Sequence, residues 1–162
     1  MILEHWSTRS HAIDVSRIPG EGFRRRDKPT GFWVSVAGPH DWPAYLSSFG
    51  QTVLPAYRHR IELAPDARIL RLDSVDALLA FGADHALSSV HGTDVPPGEA
   101  VDWDRVEREW QGILITPFQH SVRRDPRCRW YYGWDCASGC IWDAGAIASI
   151  ARVPRRHDGP RT

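Results

Sequence analysis

Short stretches in which apolar and polar residues alternate dominate the chain and predict several β-strands. A period of two places successive side chains on opposite faces of a sheet, and aromatic or β-branched residues strengthen the prediction. The predicted strands are residues 2–6, 31–36, 57–63, 67–72 and 112–116, followed by two segments around residues 137–139. A tight turn between residues 57–63 and 67–72 favours a hairpin of these two strands.

Helix signals are fewer and short. Asp41 as an N-cap, Pro43 in the first turn and Gly50 as a C-terminal stop predict a helix over residues 41–49. Two more helices are predicted, one capped by Asp73 or Ser74 and one capped by Asp102. In the last of these, Trp103, Val106 and Trp110 form one apolar stripe that should face the core. Residues 144–150 fit either a short helix or a last strand.

The order of these elements predicts an α+β fold with a mainly antiparallel twisted sheet and two to three short helices. The 162 residues are enough for a single domain with its own core, which we expect over residues 1–152. Residues 153–162 combine Pro, Gly and Arg, and we expect them to form a loose basic tail.

Charge and composition narrow the class of protein. The 20 basic residues, all Arg except Lys28, balance 20 acidic ones, which argues against a protein that mainly wraps nucleic acid. The middle of the chain is acidic and the segments on either side of it are basic, so a basic segment could still bind an anionic ligand. No apolar run is long enough to span a membrane, no secretory signal opens the chain, and three Cys do not suggest a disulfide framework. We therefore expect a cytoplasmic protein without a membrane partner.

Two strands carry residues suited to binding a nucleotide. On the first strand, His5 and Ser7 share one face and can hydrogen-bond to a ribose or an amide. On the second, Trp33 offers a flat surface for a heterocycle and Ser35 a hydroxyl beside it. A polar edge strand and ordinary core packing are the competing interpretations.

Other chemistry-bearing residues lie in loops and in the aromatic segment 130–142. Arg24, Arg25 and Arg26 could hold a pyrophosphate, although a solvated basic loop is an equally simple explanation. Gln119 follows the buried strand 112–116, where strand ends present functional groups. Trp134 could add to an aromatic cleft wall.

The cysteines point away from a metal site. Cys136 and Cys140 are four residues apart, and no His pair stands at ligand spacing, so no metal is predicted. Buried free thiols are favoured, and a hydrolase that uses one of these Cys with a His remains the weaker alternative.

The segments LEHWS, KPTGFWVS, WQGILITPFQ and WYYGWDCASGCIWD together resemble a group of small bacterial and phage proteins. Those proteins share a His-aromatic-Ser start, a KPxGLW-type strand and a WYYGWDCASGCIW segment. The resemblance covers residues 2–147 and implies no particular activity.

More distantly, the layout is similar to that of the ADP-ribosyltransferases. In that superfamily a His or Arg on the opening strand holds NAD, and an aromatic or Ser residue on the second strand supports the nicotinamide ribose. A later strand delivers a carboxylate, or sometimes another polar residue, that polarises a ribose hydroxyl. The resemblance assigns the first role to His5, the second to Trp33 or Ser35, and the third position to Gln119.

Gln119 departs from the pattern because it carries no negative charge, and Asp135 or Asp143 could supply that charge instead. The resemblance implies an enzyme that takes NAD as a substrate and transfers ADP-ribose to a protein or nucleic acid. Such an enzyme could be a toxin or a phage–host conflict effector with an antitoxin as a partner. The alternative hypothesis is a non-catalytic module that binds a nucleotide or single-stranded nucleic acid through Arg and aromatic residues.

Overall fold

A computed structural model gives the fold and describes residues 1–8, 13–18, 28–51, 53–90 and 92–154. Within these ranges the chain forms a seven-stranded sheet, a two-stranded hairpin, three α-helices and four 3₁₀ helices. The fold is therefore α+β, with a mixed sheet. None of the described helices has the length and apolar character needed to cross a membrane. Arg26 and most of the expected tail lie outside the described residues.

The strands are β1 (Leu3–Ser7), β2 (Phe32–Val36), β3 (Tyr57–Leu63), β4 (Ile69–Leu72), β5 (Ser89–Val90), β6 (Thr93–Asp94), β7 (Gly112–Ile115), β8 (Ser138–Ile141) and β9 (Ile147–Val153). The α-helices are α1 (Trp42–Ser48), α2 (Val75–Asp84) and α3 (Trp103–Glu109). The 3₁₀ helices are Val15–Arg17, His120–Val122, Pro126–Gly133 and Ala144–Ala146.

The helices begin at the predicted caps because side-chain oxygens satisfy backbone N–H groups that have no partner inside the helix. The Asp41 carboxylate accepts from the N–H of Ala44, at 2.9 Å. Ser74 caps α2 and Asp102 caps α3 in the same way. After α1, Gly50 adopts a φ of 73°, the left-handed conformation that glycine tolerates best. These local predictions are confirmed.

The predicted hairpin of β3 and β4 is wrong. β3 pairs antiparallel with β1 and β9, whereas β4 pairs in parallel with β7. Gln111 holds the chain in place before β4, because its side-chain oxygen accepts from the N–H of Arg68 and its own N–H donates to the Arg68 carbonyl. β4 thus lies beside the buried β7, and periodicity carries no information about that choice of partner.

The sheet has the strand order β4-β7-β8-β2-β1-β3-β9, and it must be curled rather than flat. In a flat sheet β3 and β4 would lie about 24 Å apart, at roughly 4.8 Å between neighbouring strands. The link from Leu63 to Ile69 can span only about 20–22 Å when fully extended. The link runs beside the chain before β9, where the N–H of Ala64 donates to the Ala146 carbonyl. The two ends of the sheet therefore curl toward each other.

The ladder between β1 and β2 is the shortest in this sheet. It pairs Leu3 with Val36 and Glu4 with Ser35, whereas β1 and β3 pair along all of Leu3–Ser7. This short ladder divides the sheet into two halves, β4-β7-β8-β2 and β1-β3-β9. We call it the β1–β2 joint.

An aromatic cluster forms the core between the first half and the helices. Its rings meet at centroid distances of 5.2–6.2 Å, and they belong to Phe81, Trp103, Trp130, Tyr131 and Trp134. Trp103 is buried as predicted, whereas Trp110 is half-buried. The two strand segments predicted around residues 137–139 are only partly correct, because residues 126–133 form a 3₁₀ helix and β8 is the strand.

Gly139 provides a test of this packing. An added Cβ would collide with the carbonyl oxygen of Ile113 on the neighbouring β7. We expect Gly139→Ala to lower the free energy of unfolding by about 1–3 kcal/mol or more, because buried backbone on both sides leaves no room to relax. Urea denaturation followed by circular dichroism measures the change. Gly145→Ala is the matched control, since its nearest neighbour would be an Asp143 side-chain oxygen at 3.1 Å. Equal stability of both variants would contradict the packing.

Candidate functional site

The register of the β1–β2 joint determines which predicted site residues share a face. Glu4 lies opposite Ser35, so these two side chains point the same way, and Trp33 points with them by the alternation of the strand. Leu3 lies opposite Val36, and His5 and Ser7 point with Leu3. We call these the Ser35 face and the Leu3 face. The expectation that the His5 and Trp33 side chains border one cleft is therefore not met.

His5 is nevertheless connected to Trp33 through the backbone. Its Nδ1 lies 2.8 Å from the Trp33 carbonyl oxygen, and its ring stacks on Phe32 at 4.4 Å. Because a carbonyl can only accept, Nδ1 carries the proton and Nε2 is left as an acceptor. Burial lowers the pKa of His5 below its ordinary value, so the ring is neutral near pH 7.

His59 extends this buried polar group on the Leu3 face. It lies opposite His5 on β3, with 6.4 Å between the ring centroids, and is only 4% exposed. Burial lowers the pKa of His59 as well. Its Nδ1 has no hydrogen-bond partner among the described residues. Both rings are thus held neutral inside the fold.

The Ser35 face carries an aromatic surface beside a cation. The edge of Trp33 meets the Trp134 ring at 5.1 Å, and the Lys28 ammonium lies 5.2 Å from the Trp33 centroid. Trp134 is 0% exposed, so it supports Trp33 from behind and does not itself line a surface. Trp33 is half-buried and is the aromatic group that a ligand can reach.

Asp135 lies next to this surface and is paired with two cationic side chains. Its carboxylate accepts from Arg123 Nη2 at 2.7 Å and lies 4.0 Å from Lys28 Nζ. The Tyr45 phenol lies close enough to this carboxylate that the pKa of the phenol is raised, first by burial and then by the negative charge of Asp135. The carboxylate side chain is 29% exposed and so remains accessible. We call Lys28, Trp33, Tyr45, Arg123 and Asp135 the Asp135 cluster.

Lys28, Tyr45 and Arg123 were not among the residues predicted for the site. Lys28 is the only Lys in the chain, and Arg123 belongs to the Arg-rich run that precedes the aromatic segment. Those two signals were available from the sequence. Tyr45 carried no signal beyond its place on a short helix.

Ser35 and Ser7 contribute less than predicted. The Ser35 hydroxyl accepts from the N–H of Trp42 at 2.8 Å, which fastens the start of α1 to β2. Ser35 is also buried, so we assign it this structural role. Ser7 lies half-buried on the Leu3 face, opposite Tyr57.

Gln119 serves as a brace for the loop after β7. Its side-chain nitrogen donates to the carbonyls of Asp73 and Pro117, at 3.2 and 3.1 Å, and its backbone N–H donates to the Tyr131 hydroxyl. These contacts orient the amide toward the start of α2. In the part of the chain that the structure describes, no hydrogen bond links Gln119 to the Asp135 cluster.

Glu4 is a buried carboxylate that the sequence reasoning missed. It is 8% exposed, shares the Ser35 face, and lies 3.5 Å from Arg58 Nη1. Arg58 in turn lies 5.7 Å from the Trp6 ring centroid. An acidic residue at the second position of an apolar strand was the available signal.

The thiols are unsuited to nucleophilic catalysis. All three Cys are free and buried. Burial raises the pKa of Cys128 to about 12 and that of Cys136 to about 11, and it raises the pKa of Cys140 further. A thiol is reactive as a thiolate, so these residues argue against the Cys/His hydrolase alternative.

No protein-family model matches this chain, and neither a curated protein nor a solved structure was found to be similar to it. The resemblances described above therefore stay hypotheses.

The neutral histidines predict acid sensitivity. Because burial lowers the pKa of His5 and His59, these two residues bind protons below about pH 6.5 more readily in the unfolded chain than in the folded chain. The free energy of unfolding should therefore fall as the pH is lowered from 7.5 to 5.5, by at most about 1.4 kcal/mol per histidine and pH unit. Urea denaturation across this range measures it.

His59→Gln should flatten the pH dependence. Ile61→Val, which removes a buried methyl group nearby and no titrating group, should be less stable at every pH but keep the wild-type slope. A His59→Gln slope equal to that of the wild type would refute the assignment.

Proposed function

We propose that this protein is an ADP-ribosyltransferase-like enzyme that binds NAD at the Asp135 cluster. It breaks the bond between nicotinamide and ribose and transfers ADP-ribose to a protein or nucleic-acid acceptor. The composition of the cluster supports the proposal, and Trp33 keeps the stacking role that the distant resemblance to that superfamily assigns to it. A cytoplasmic toxin or phage–host conflict effector, held in check by an antitoxin, would use this activity.

One observation carries the proposal: the Asp135 carboxylate lies 4.0 Å from a Lys28 ammonium that itself lies 5.2 Å from the Trp33 ring centroid. NAD presents flat heterocycles, ribose hydroxyls and a pyrophosphate. An indole can stack on a heterocycle, a carboxylate can accept from a hydroxyl, and ammonium or guanidinium groups can bind phosphate oxygens. The cluster supplies each kind of partner.

The Asp135 carboxylate also supplies the negative charge that Gln119 lacks. Cleavage of the nicotinamide–ribose bond gives the ribose positive, oxocarbenium-like character, and a fixed carboxylate stabilises that charge. The electron pair of the broken bond leaves with neutral nicotinamide. A nucleophile of the acceptor then forms a bond to the ribose carbon and releases its proton. Arg123 holds the carboxylate in place during these steps.

His5 acts in this proposal from the opposite face. Its Nδ1–H donates to the Trp33 carbonyl beyond the two paired positions of the β1–β2 joint. It therefore fixes the strand that carries the stacking indole. We assign His5 as a positioning residue, in place of the direct contact with NAD that the sequence suggested.

Calorimetric titration with NAD, together with mass spectrometry of released nicotinamide, tests the proposal. Asp135→Asn keeps the size of the side chain and removes its charge, so NAD should still bind while nicotinamide release falls about 100-fold or more. Trp33→Leu should weaken NAD binding about tenfold through the loss of stacking. Asp94→Asn, on the exposed strand β6, is the control and should behave like the wild type.

The absence of NAD binding, or equal turnover by Asp135→Asn and the wild type, would overturn the proposal. Cell lysate is included as a source of acceptors, so that transfer and simple NAD hydrolysis are both detected. NAD binding without any nicotinamide release would leave a nucleotide-binding module as the function.

A single-stranded nucleic-acid module remains a second candidate because of one exposed aromatic group. Tyr132 is 58% exposed, and the Arg123 guanidinium lies 5.3 Å from its ring centroid. Exposed aromatic rings with Arg nearby stack on unpaired bases. Arg124 is exposed in the same segment.

Fluorescence anisotropy with a labelled single-stranded oligonucleotide tests this second function. Binding should weaken as salt rises, and Tyr132→Ala should reduce the affinity about tenfold. Tyr57→Phe, on β3, is the control because it retains the ring. Binding that is unaffected by Tyr132→Ala, or no binding at low salt, would remove the candidate.

A further inference from the structure

Two histidines from distant parts of the chain lie close together at the end of the sheet where β2 and β7 finish. His40 follows β2, and His120 opens the 3₁₀ helix after β7. His40 Nδ1 and His120 Nε2 lie 3.4 Å apart, and the two rings are tilted by 72° with 4.7 Å between their centroids. Both residues are exposed, and neither takes part in the Asp135 cluster.

The distance between these nitrogens is the one expected of two ligands on the same metal ion. Zinc binds imidazole nitrogen at about 2.0–2.1 Å with tetrahedral geometry, which places two ligand nitrogens about 3.3 Å apart. A typical direct hydrogen bond would bring the nitrogens closer, since N–H donors in proteins usually lie about 2.7–3.2 Å from their acceptors. At 3.4 Å the two nitrogens form a long hydrogen bond, and the same separation matches that of two ligands on one zinc ion.

The backbone of His40 and the ring of His120 are each held by a contact with the rest of the fold. The His40 carbonyl accepts from the N–H of Ala137 at 2.7 Å, and the following residue, Asp41, caps α1. The His120 ring meets the buried Phe118 ring edge-on, at 4.5 Å and 90°. The Phe118 contact restricts the His120 ring, so this ring loses less conformational freedom when it binds an ion, which favours affinity.

We propose that His40 and His120 form a two-histidine site for a divalent transition metal of the zinc and copper class. Neutral imidazole suits these ions and does not suit magnesium or calcium. Across the described residues no cluster of three or more His, Cys, Asp or Glu side chains is arranged for a metal. The remaining coordination positions therefore belong to water or to an exchangeable ligand, as in an open metal site.

The test uses metal ions alone, without NAD, so its result is independent of the proposed function. Calorimetry with Zn²⁺ should give one site per chain in the purified wild-type protein. His40→Ala and His120→Ala should each weaken that binding at least tenfold. Because both side chains are exposed, circular dichroism should find the variants as folded as the wild type.

Copper provides a second, spectroscopic measurement. With one equivalent of Cu²⁺, electron paramagnetic resonance should detect two nitrogen ligands in the wild type and one in either variant. His91→Ala removes a different histidine and is the matched control, with both measurements expected to be unchanged. Wild-type affinity in both His40→Ala and His120→Ala, or loss of the site in His91→Ala alone, would overturn the proposal.

Discussion

The complete burial of two adjacent strands is the constraint on which the rest of the structure depends. Every residue of β7 and β8 is buried. Such burial requires cover on both faces, and the apolar side chains of β7 and β8 share one core with the aromatic cluster and with Leu3 and Ile61 of the second half of the sheet. Gly139 is needed because the β7 backbone passes so close to β8. His120 and Arg123 lie in the segment that follows β7, and Asp135 lies just before β8. The burial of these two strands therefore also fixes the position of the candidate sites.

The charged side chains of this molecule, whose formal net charge is zero, form local pairs of opposite charge. Asp135 is shared by Arg123 and Lys28, Glu4 lies beside Arg58, and Asp125 is hydrogen-bonded to Arg127. Most of these pairs are partly exposed and contribute little to stability one at a time. Their effect is positional, because each carboxylate is oriented by a cation. In the Asp135 cluster that orientation is combined with an indole and with a carboxylate that is 29% exposed, whereas Glu4, whose Arg58 partner also lies near an indole, is buried.

The sequence predicted correctly the features that depend on neighbouring residues. Its predictions were wrong where a feature depends on contacts between residues that are far apart in the chain. Caps such as Asp41 and Ser74 act within one helical turn, so the helix starts were predictable. β4 carries an alternating pattern that fits a hairpin as well as a parallel pairing, and its partner β7 lies about 40 residues along the chain. The candidate site failed in a similar way. Whether His5 and Trp33 share a face depends on whether Glu4 pairs with Ser35 or with its neighbour, because a shift of one residue reverses every side chain.

The β1–β2 joint has a mechanical consequence. It lies in the middle of the sheet, yet its ladder consists of two residue pairs, so the backbone couples the two halves weakly there. Partial opening of a protein tends to follow such boundaries between cooperative units. His5 spans the boundary by its hydrogen bond to the Trp33 carbonyl, and the Asp135 cluster lies against the same strand on the other face. A ligand that stacked on Trp33 and also contacted β1 would link the two halves of the sheet across the joint. Its binding free energy would add to the free energy needed to separate the two halves.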